Sequence, residues 1–134
     1  MSASIDSLEQ IIAFVMDLSE QARLSPKDAH RLRLATDELF VNIVTHGYPA
    51  NGGDPHQIEL HGTPGSGHVL LQMHDWSQPF DPTTAEVEQR PAPDRIGGFG
   101  LRLAKLCADR LAYERVGNMN RTIIVVRRQG RANA

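Results

Sequence analysis

Apolar residues recur every three or four positions through two successive stretches near the start of the chain. Leu8, Ile12, Val15 and Leu18 predict a first amphipathic helix, from Ser4 or Asp6 as caps to about Leu24, with Glu9 in its first turn. Ser25-Pro26 then restarts the chain, with Ser25 as N-cap, proline at the first helical position and Asp28 in the first turn. This second helix is predicted to run to about His46, where Gly47 can end it. Leu32, Ala35, Leu39 and Ile43 form its apolar stripe. After a loop over 49–55 the period changes to two. Residues 57–61 and 68–75 alternate as half-buried strands joined by the turn 63–67, with Val69, Leu71 and Met73 on one face.

Residues 76–96 show no period and hold four of the eight prolines, which marks a functional or mobile segment. Gly97-Gly98-Phe99-Gly100 follows and opens a short apolar helix through Leu101, Leu103, Ala104, Leu106, Cys107 and Ala108. Residues 111–116 and 122–126 read as two last strands around the turn Gly117-Asn118-Met119-Asn120. Helix, helix, strand, strand, long loop, helix, strand, strand predicts an α+β fold: a two-layer sandwich with helices on one face of a mostly antiparallel sheet.

Length and charge narrow the function classes. At 134 residues a single domain, 1–134, is expected. A formal charge of −2 provides no field for direct nucleic-acid or anionic-membrane binding, and Arg127, Arg128 and Arg131 read as a solvated end. Cys107 is the single cysteine, and neither a signal peptide nor a membrane-length apolar run is visible, so a reducing cytoplasm is the default expectation.

Three segments carry candidate chemistry. Glu38 and Asn42 lie four residues apart on the second helix and so share a face beside the apolar stripe. A carboxylate there either pairs with Arg31, Arg33 or a surface partner or serves a site. Asp75 ends a strand, where it can cap a turn or accept a hydrogen bond from the exocyclic amine of a base. The glycines before the third helix either form a hinge or bring backbone N–H groups and the helix dipole against phosphate. They fit neither a Walker loop nor a Rossmann fingerprint.

Taken in order, E-x-x-x-N on a helix, D-x-S-x-P-F at a strand end and G-G-x-G-L before a helix resemble the N, G1 and G2 boxes of the GHKL (histidine-kinase-like) ATPase superfamily. DELFVNIVTHGY, PFDP, GGFGLRLAKLCAD and YERVGNMNRTIIVVRR are similar to its small anti-sigma-factor serine/threonine kinases, over nearly all of 25–128. The resemblance implies ATP and Mg²⁺ as cofactors and a lid at about 77–98. Asn42 would hold Mg²⁺ on the phosphates, and Glu38 would act as the catalytic acid–base residue toward the attacking nucleophile. Asp75 would take the adenine amine, with Ser77 and Phe80 in the same box. Gly97, Gly98, Phe99, Gly100 and Leu101 would form the phosphate-facing end of the lid. Arg95 would neutralise γ-phosphate charge, or else face solvent or a partner, and His46 reads as a helix-end residue.

Two departures stand out. Ser77 replaces the glycine usual in D-x-G, which implies weaker nucleotide binding. The first helix also begins where relatives typically have an additional strand, so the sheet edge and any homodimer through it stay open. Without a sensor, dimerisation helix or transducer domain in the sequence, the implied function is partner switching. Such a protein would sequester a sigma factor or comparable regulator and phosphorylate a STAS-domain antagonist. The alternative is an inactive binding module of the same fold that only sequesters a partner.

Overall fold

The computed structural model describes residues 7–47, 57–79, 82–83 and 104–128. Helix α1 spans Leu8–Gln21 and helix α2 spans Pro26–Asn42; strands β1 (Ile58–Pro64), β2 (His68–Asp75), β3 (Arg110–Val116) and β4 (Met119–Arg127) form one antiparallel sheet in the order β1-β2-β4-β3. The expected α+β architecture is therefore present, and none of the described helices is long and apolar enough to cross a membrane.

Alternation divides each strand between two faces. Val69, Leu71 and Met73 of β2 lie opposite Val126, Ile124 and Thr122 of β4, and all six are buried. Onto this row α1 brings Ile11, Val15 and Leu18, and α2 brings Leu32, Ala35, Leu39 and Phe40. Phe40 is fully buried, and truncating a ring so placed costs about 3–5 kcal/mol. Gly62 allows the close approach of α1 to β1. A Cβ there would stand 2.7 Å from Leu18 Cδ2.

Helix ends follow local chemistry. Ser25 Oγ accepts the Asp28 N–H at 3.1 Å, as an N-cap should. Helix α1 begins later than expected, after Ser7, while Ser4 and Asp6 lie outside the described residues. Its other end closes as a Schellman motif, in which the N–H of Arg23 reaches Glu20 O and that of Leu24 reaches Ser19 O, each at 3.0 Å. Arg23 occupies the left-handed position that glycine usually takes, at φ 55°. Helix α2 stops at Asn42, four residues short of the expected end, and continues as a π turn over Ile43–Gly47. Three successive β-branched residues, Ile43, Val44 and Thr45, crowd a regular α turn there.

The strands are longer than the periodicity indicated. Thr63 and Pro64 pair with Leu70 and Val69, leaving Gly65–Gly67 as the turn. Proline is tolerated because β1 is an edge strand. Met119 and Asn120 likewise belong to β4, paired with Val116 and Arg115, so the last turn is Gly117-Asn118 with Gly117 at φ +62°. The terminal arginines are not all solvated. Arg128 Nη2 donates to Ala22 O at 2.6 Å, setting a cation at the C-terminal end of α1. Arg31 bridges Asp28 at 3.2 Å and Asp109 at 3.0 Å, joining α2 to the start of β3.

Candidate functional site

A pocket opens between the C-terminal half of α2 and the end of the sheet. Leu39, Asn42 and Ile43 form its helical wall; Asp75, Ser77, Asn120 and Thr122 form the strand side, and buried Pro82 completes the lining. Its volume is about 20 Å³, the space of a single water, so a purine enters only if the walls move apart.

Asp75 is 1% exposed, a carboxylate that burial would penalise heavily without donors. Three donors converge on one of its oxygens. Oδ1 accepts the Ser77 N–H at 3.1 Å, the Ser77 hydroxyl, and Asn120 Nδ2 at 3.0 Å. This arrangement fixes the plane of the carboxylate and fills one oxygen with protein donors. The Ser77 hydroxyl is thus turned onto Asp75, and Ser77 is itself buried.

Asn120 is the hub behind them. Its Nδ2 also approaches Ser77 O at 3.3 Å and Gln78 O at 3.1 Å, while its Oδ1 accepts Tyr113 Oη at 2.5 Å and Arg115 Nη1 at 3.0 Å. Arg115 Nη1 further donates to Ser77 O at 2.8 Å. Strands β3 and β4 therefore hold the turn after β2 through side chains. Sequence reasoning took Asn120 for a turn residue and overlooked Arg115 and Tyr113. The signal was present, since Asn120 and Thr122 are the polar members of an inward row that continues with Ile124 and Val126.

Asn42 is 4% exposed, and among the described residues its Nδ2 has no hydrogen-bond partner. A buried amide left so costs about 1–3 kcal/mol unless a ligand oxygen or water satisfies it. Glu38 lies one turn earlier on α2, half-buried and not among the pocket's lining residues. The arginines that could have neutralised it are engaged elsewhere: Arg31 with Asp28 and Asp109, Arg33 with Asp37 at 3.5 Å. Burial, and then the charge of adjacent Asp37, push the Glu38 carboxyl above its usual value. Burial raises Asp37 as well, against the lowering effect of Arg33.

The structure thus brings Asn42, Asp75 and Ser77 to one pocket, with Glu38 on the adjoining turn of the same helix. Phe80, Arg95, Gly97, Gly98, Phe99, Gly100 and Leu101 lie outside the described residues, as does the side chain of His46 and most of the expected lid.

Comparison with known proteins gives a consistent picture. Residues 1–127 match the family model described as a histidine kinase-like ATPase domain. No curated protein matches the sequence. Among solved structures, the RsbU and RsbW domains of Rv1364c from Mycobacterium tuberculosis superpose with a TM-score of 0.63 at 16% identity, covering 95% of this chain and 30% of that one. The histidine kinase domain of the Erythrobacter litoralis EL346 blue-light activated histidine kinase gives 0.55 at 12% identity, with 90% and 60% covered. The Acinetobacter baumannii histidine kinase AdeS gives 0.52 at 14%, with 93% and 64% covered. The chain spans between about a third and two thirds of these structures, and the likeness at such identities is one of fold.

Proposed function

Since the chain belongs to the histidine kinase-like ATPase domain family, we propose that its pocket binds ATP with Mg²⁺ and that it is a serine/threonine kinase of a partner-switching circuit. In that circuit it sequesters a sigma factor or comparable regulator and phosphorylates a serine or threonine of a STAS-domain antagonist. The observation that carries the reading is the meeting of Asn42 and Asp75 in one pocket, from elements 33 positions apart in sequence (75 − 42). The likeness to a structure containing an RsbW domain supports the partner-switching part.

The residues present fit a nucleotide. With Oδ1 of Asp75 occupied by Ser77 and Asn120, Oδ2 is the acceptor for the adenine amine, which separates adenine from guanine. The carboxamide of Asn42 either donates Nδ2 to a phosphate oxygen or, turned about its last bond, presents Oδ1 to Mg²⁺. Bound Mg²⁺ supplies charge neutralisation to the phosphates. Glu38 orients the attacking hydroxyl and accepts its proton, a task suited to a carboxyl raised by burial. Arg95 and the Gly97–Gly100 segment close over the phosphates, and release of the phosphorylated antagonist follows from its added charge. Residues 1–134 act as one domain with a lid at about 77–98.

Label transfer tests this. The protein, γ-labelled ATP, Mg²⁺ and a STAS-domain protein from the same organism should yield labelled antagonist, and Glu38→Ala should abolish the label. Absence of transfer, or equal transfer by Glu38→Ala, overturns the kinase. The second reading, an inactive module that only sequesters a partner, is favoured by the small pocket volume of about 20 Å³ and by Ser77 at the glycine position. A melting temperature unmoved by ATP and Mg²⁺ would select it.

A further inference from the structure

The face of the sheet turned away from the helices carries a second cluster of chemistry. Glu59 and His61 are two residues apart on β1 and point the same way, and His74 of β2 pairs directly across from Glu59. Glu59 Oε1 lies 3.1 Å from His61 Nε2 and 3.9 Å from His74 Nδ1. One ligand atom from each of the three falls within 4.8 Å of the others, and the two imidazole centroids are 4.4 Å apart at 35°.

These separations suit a shared ion. Donors about 2.0–2.2 Å from a tetrahedral centre stand roughly 3.3–3.6 Å apart, so the measured pairs bracket the requirement and small side-chain rotations close it. A second contact suits the correct nitrogen. His74 Nε2 lies 3.0 Å from Gln72 Oε1; in the tautomer that makes this a hydrogen bond, Nε2 carries the proton and Nδ1 presents its lone pair toward Glu59 and His61. Ligating histidines are commonly oriented by a partner of this kind. From these contacts the geometry points to a site for a divalent transition-metal ion, Zn²⁺ or a similar borderline cation, held by Glu59, His61 and His74 with a fourth position toward solvent.

The surroundings are compatible with it. His74 is half-buried beside the exposed Glu59 and His61, so the cluster opens to solvent on one side. Arg121, the nearby cation, is paired with Glu114. Two imidazoles and one carboxylate suit Zn²⁺, Ni²⁺ or Cu²⁺ rather than Mg²⁺ or Ca²⁺. The cluster is separate from the nucleotide pocket, since Asp75, the residue after His74, points to the opposite face.

Zn²⁺ titration of the tag-free full chain tests the proposal, read by competition with a chromophoric chelator after removal of adventitious metal. One ion per chain should bind with micromolar affinity, and His61→Ala, His74→Ala and Glu59→Gln should each weaken it at least tenfold. His68→Ala, on the same face of β2, should change nothing. Co²⁺ should give the visible absorption of a four-coordinate site, lost in His61→Ala. Because His61 and Glu59 are exposed, their variants should fold even if His74→Ala does not. Failure to bind, or equal binding by His61→Ala and Glu59→Gln, overturns the site.

Discussion

Asn120 lies at the centre of the network that shapes the pocket, and its removal has a consequence that can be worked out. Nδ2 approaches four acceptors, Asp75 Oδ1, Ser77 O, Ser77 Oγ and Gln78 O. It has two hydrogens, so about two full bonds exist at a time. Oδ1 accepts two more, from Tyr113 and Arg115. At about 1 kcal/mol net for each of four bonds, with water able to replace some, Asn120→Ala should cost about 2–3 kcal/mol. That is a large share of the roughly 5–15 kcal/mol that holds an ordinary domain together. Trp76 is the single tryptophan and adjoins Asp75, so urea unfolding followed by its fluorescence reads the change locally. Asn120→Asp sharpens the test. It replaces a donor with a second buried carboxylate against Asp75, and like charges in contact raise the proton affinity of the pair. The folded variant then binds a proton that the unfolded chain releases, so its stability relative to wild type should fall as pH rises from 5 to 8. A cost below about 0.5 kcal/mol for Asn120→Ala, or a pH-independent deficit for Asn120→Asp, would refute the hub.

Two further outcomes follow from single residues. Burial and then Asp37 raise the Glu38 carboxyl, so its contribution to stability is fully present below the ordinary carboxylate range and is lost as pH rises through the raised folded value. Asp37→Asn should move the acid limb of the phosphotransfer rate to lower pH, at most about 1 kcal/mol being lost with the part-exposed Arg33 pair; an unmoved limb would exclude Glu38 as the titrating base. Arg23 holds a left-handed backbone in the Schellman turn. Arg23→Gly should therefore gain about 0.5–1 kcal/mol, a few degrees in Tm, after allowing for glycine's extra unfolded-state entropy; a lower Tm would contradict it.

The parts of this molecule that were legible in the sequence are those governed by repetition. The three-to-four spacing of Leu32, Ala35 and Leu39 and the alternation of Val69, Leu71 and Met73 gave α2 and β2 closely, because burial on one face leaves no other arrangement. What escaped depends on local crowding in one case and on pairing across the chain in the others. The end of α2 turned on three adjacent β-branched residues, the length of β1 on register with β2, and the docking of Arg128 on a carbonyl more than one hundred residues away. In the site, Asn42 and Asp75, which line one pocket, were named through the N and G1 boxes, whereas Asn120, Tyr113 and Arg115 lie in the resembling stretch 113–128 without a box to give them a role, and their shared network forms only where β3 and β4 meet the turn after β2.

Nucleotide discrimination by Asp75→Asn tests the account most directly. Three donors fix which oxygen faces inward, so asparagine must keep its carbonyl there and turn its NH₂ toward the purine, donor against donor. Calorimetric titration with Mg²⁺ should show one ATP per wild-type chain and GTP at least tenfold weaker, with the ATP preference lost and affinity reduced at least tenfold in the folded Asp75→Asn variant. Equal affinity of the wild type for ATP and GTP, or unchanged ATP binding by Asp75→Asn, would contradict a nucleotide pocket read by Asp75.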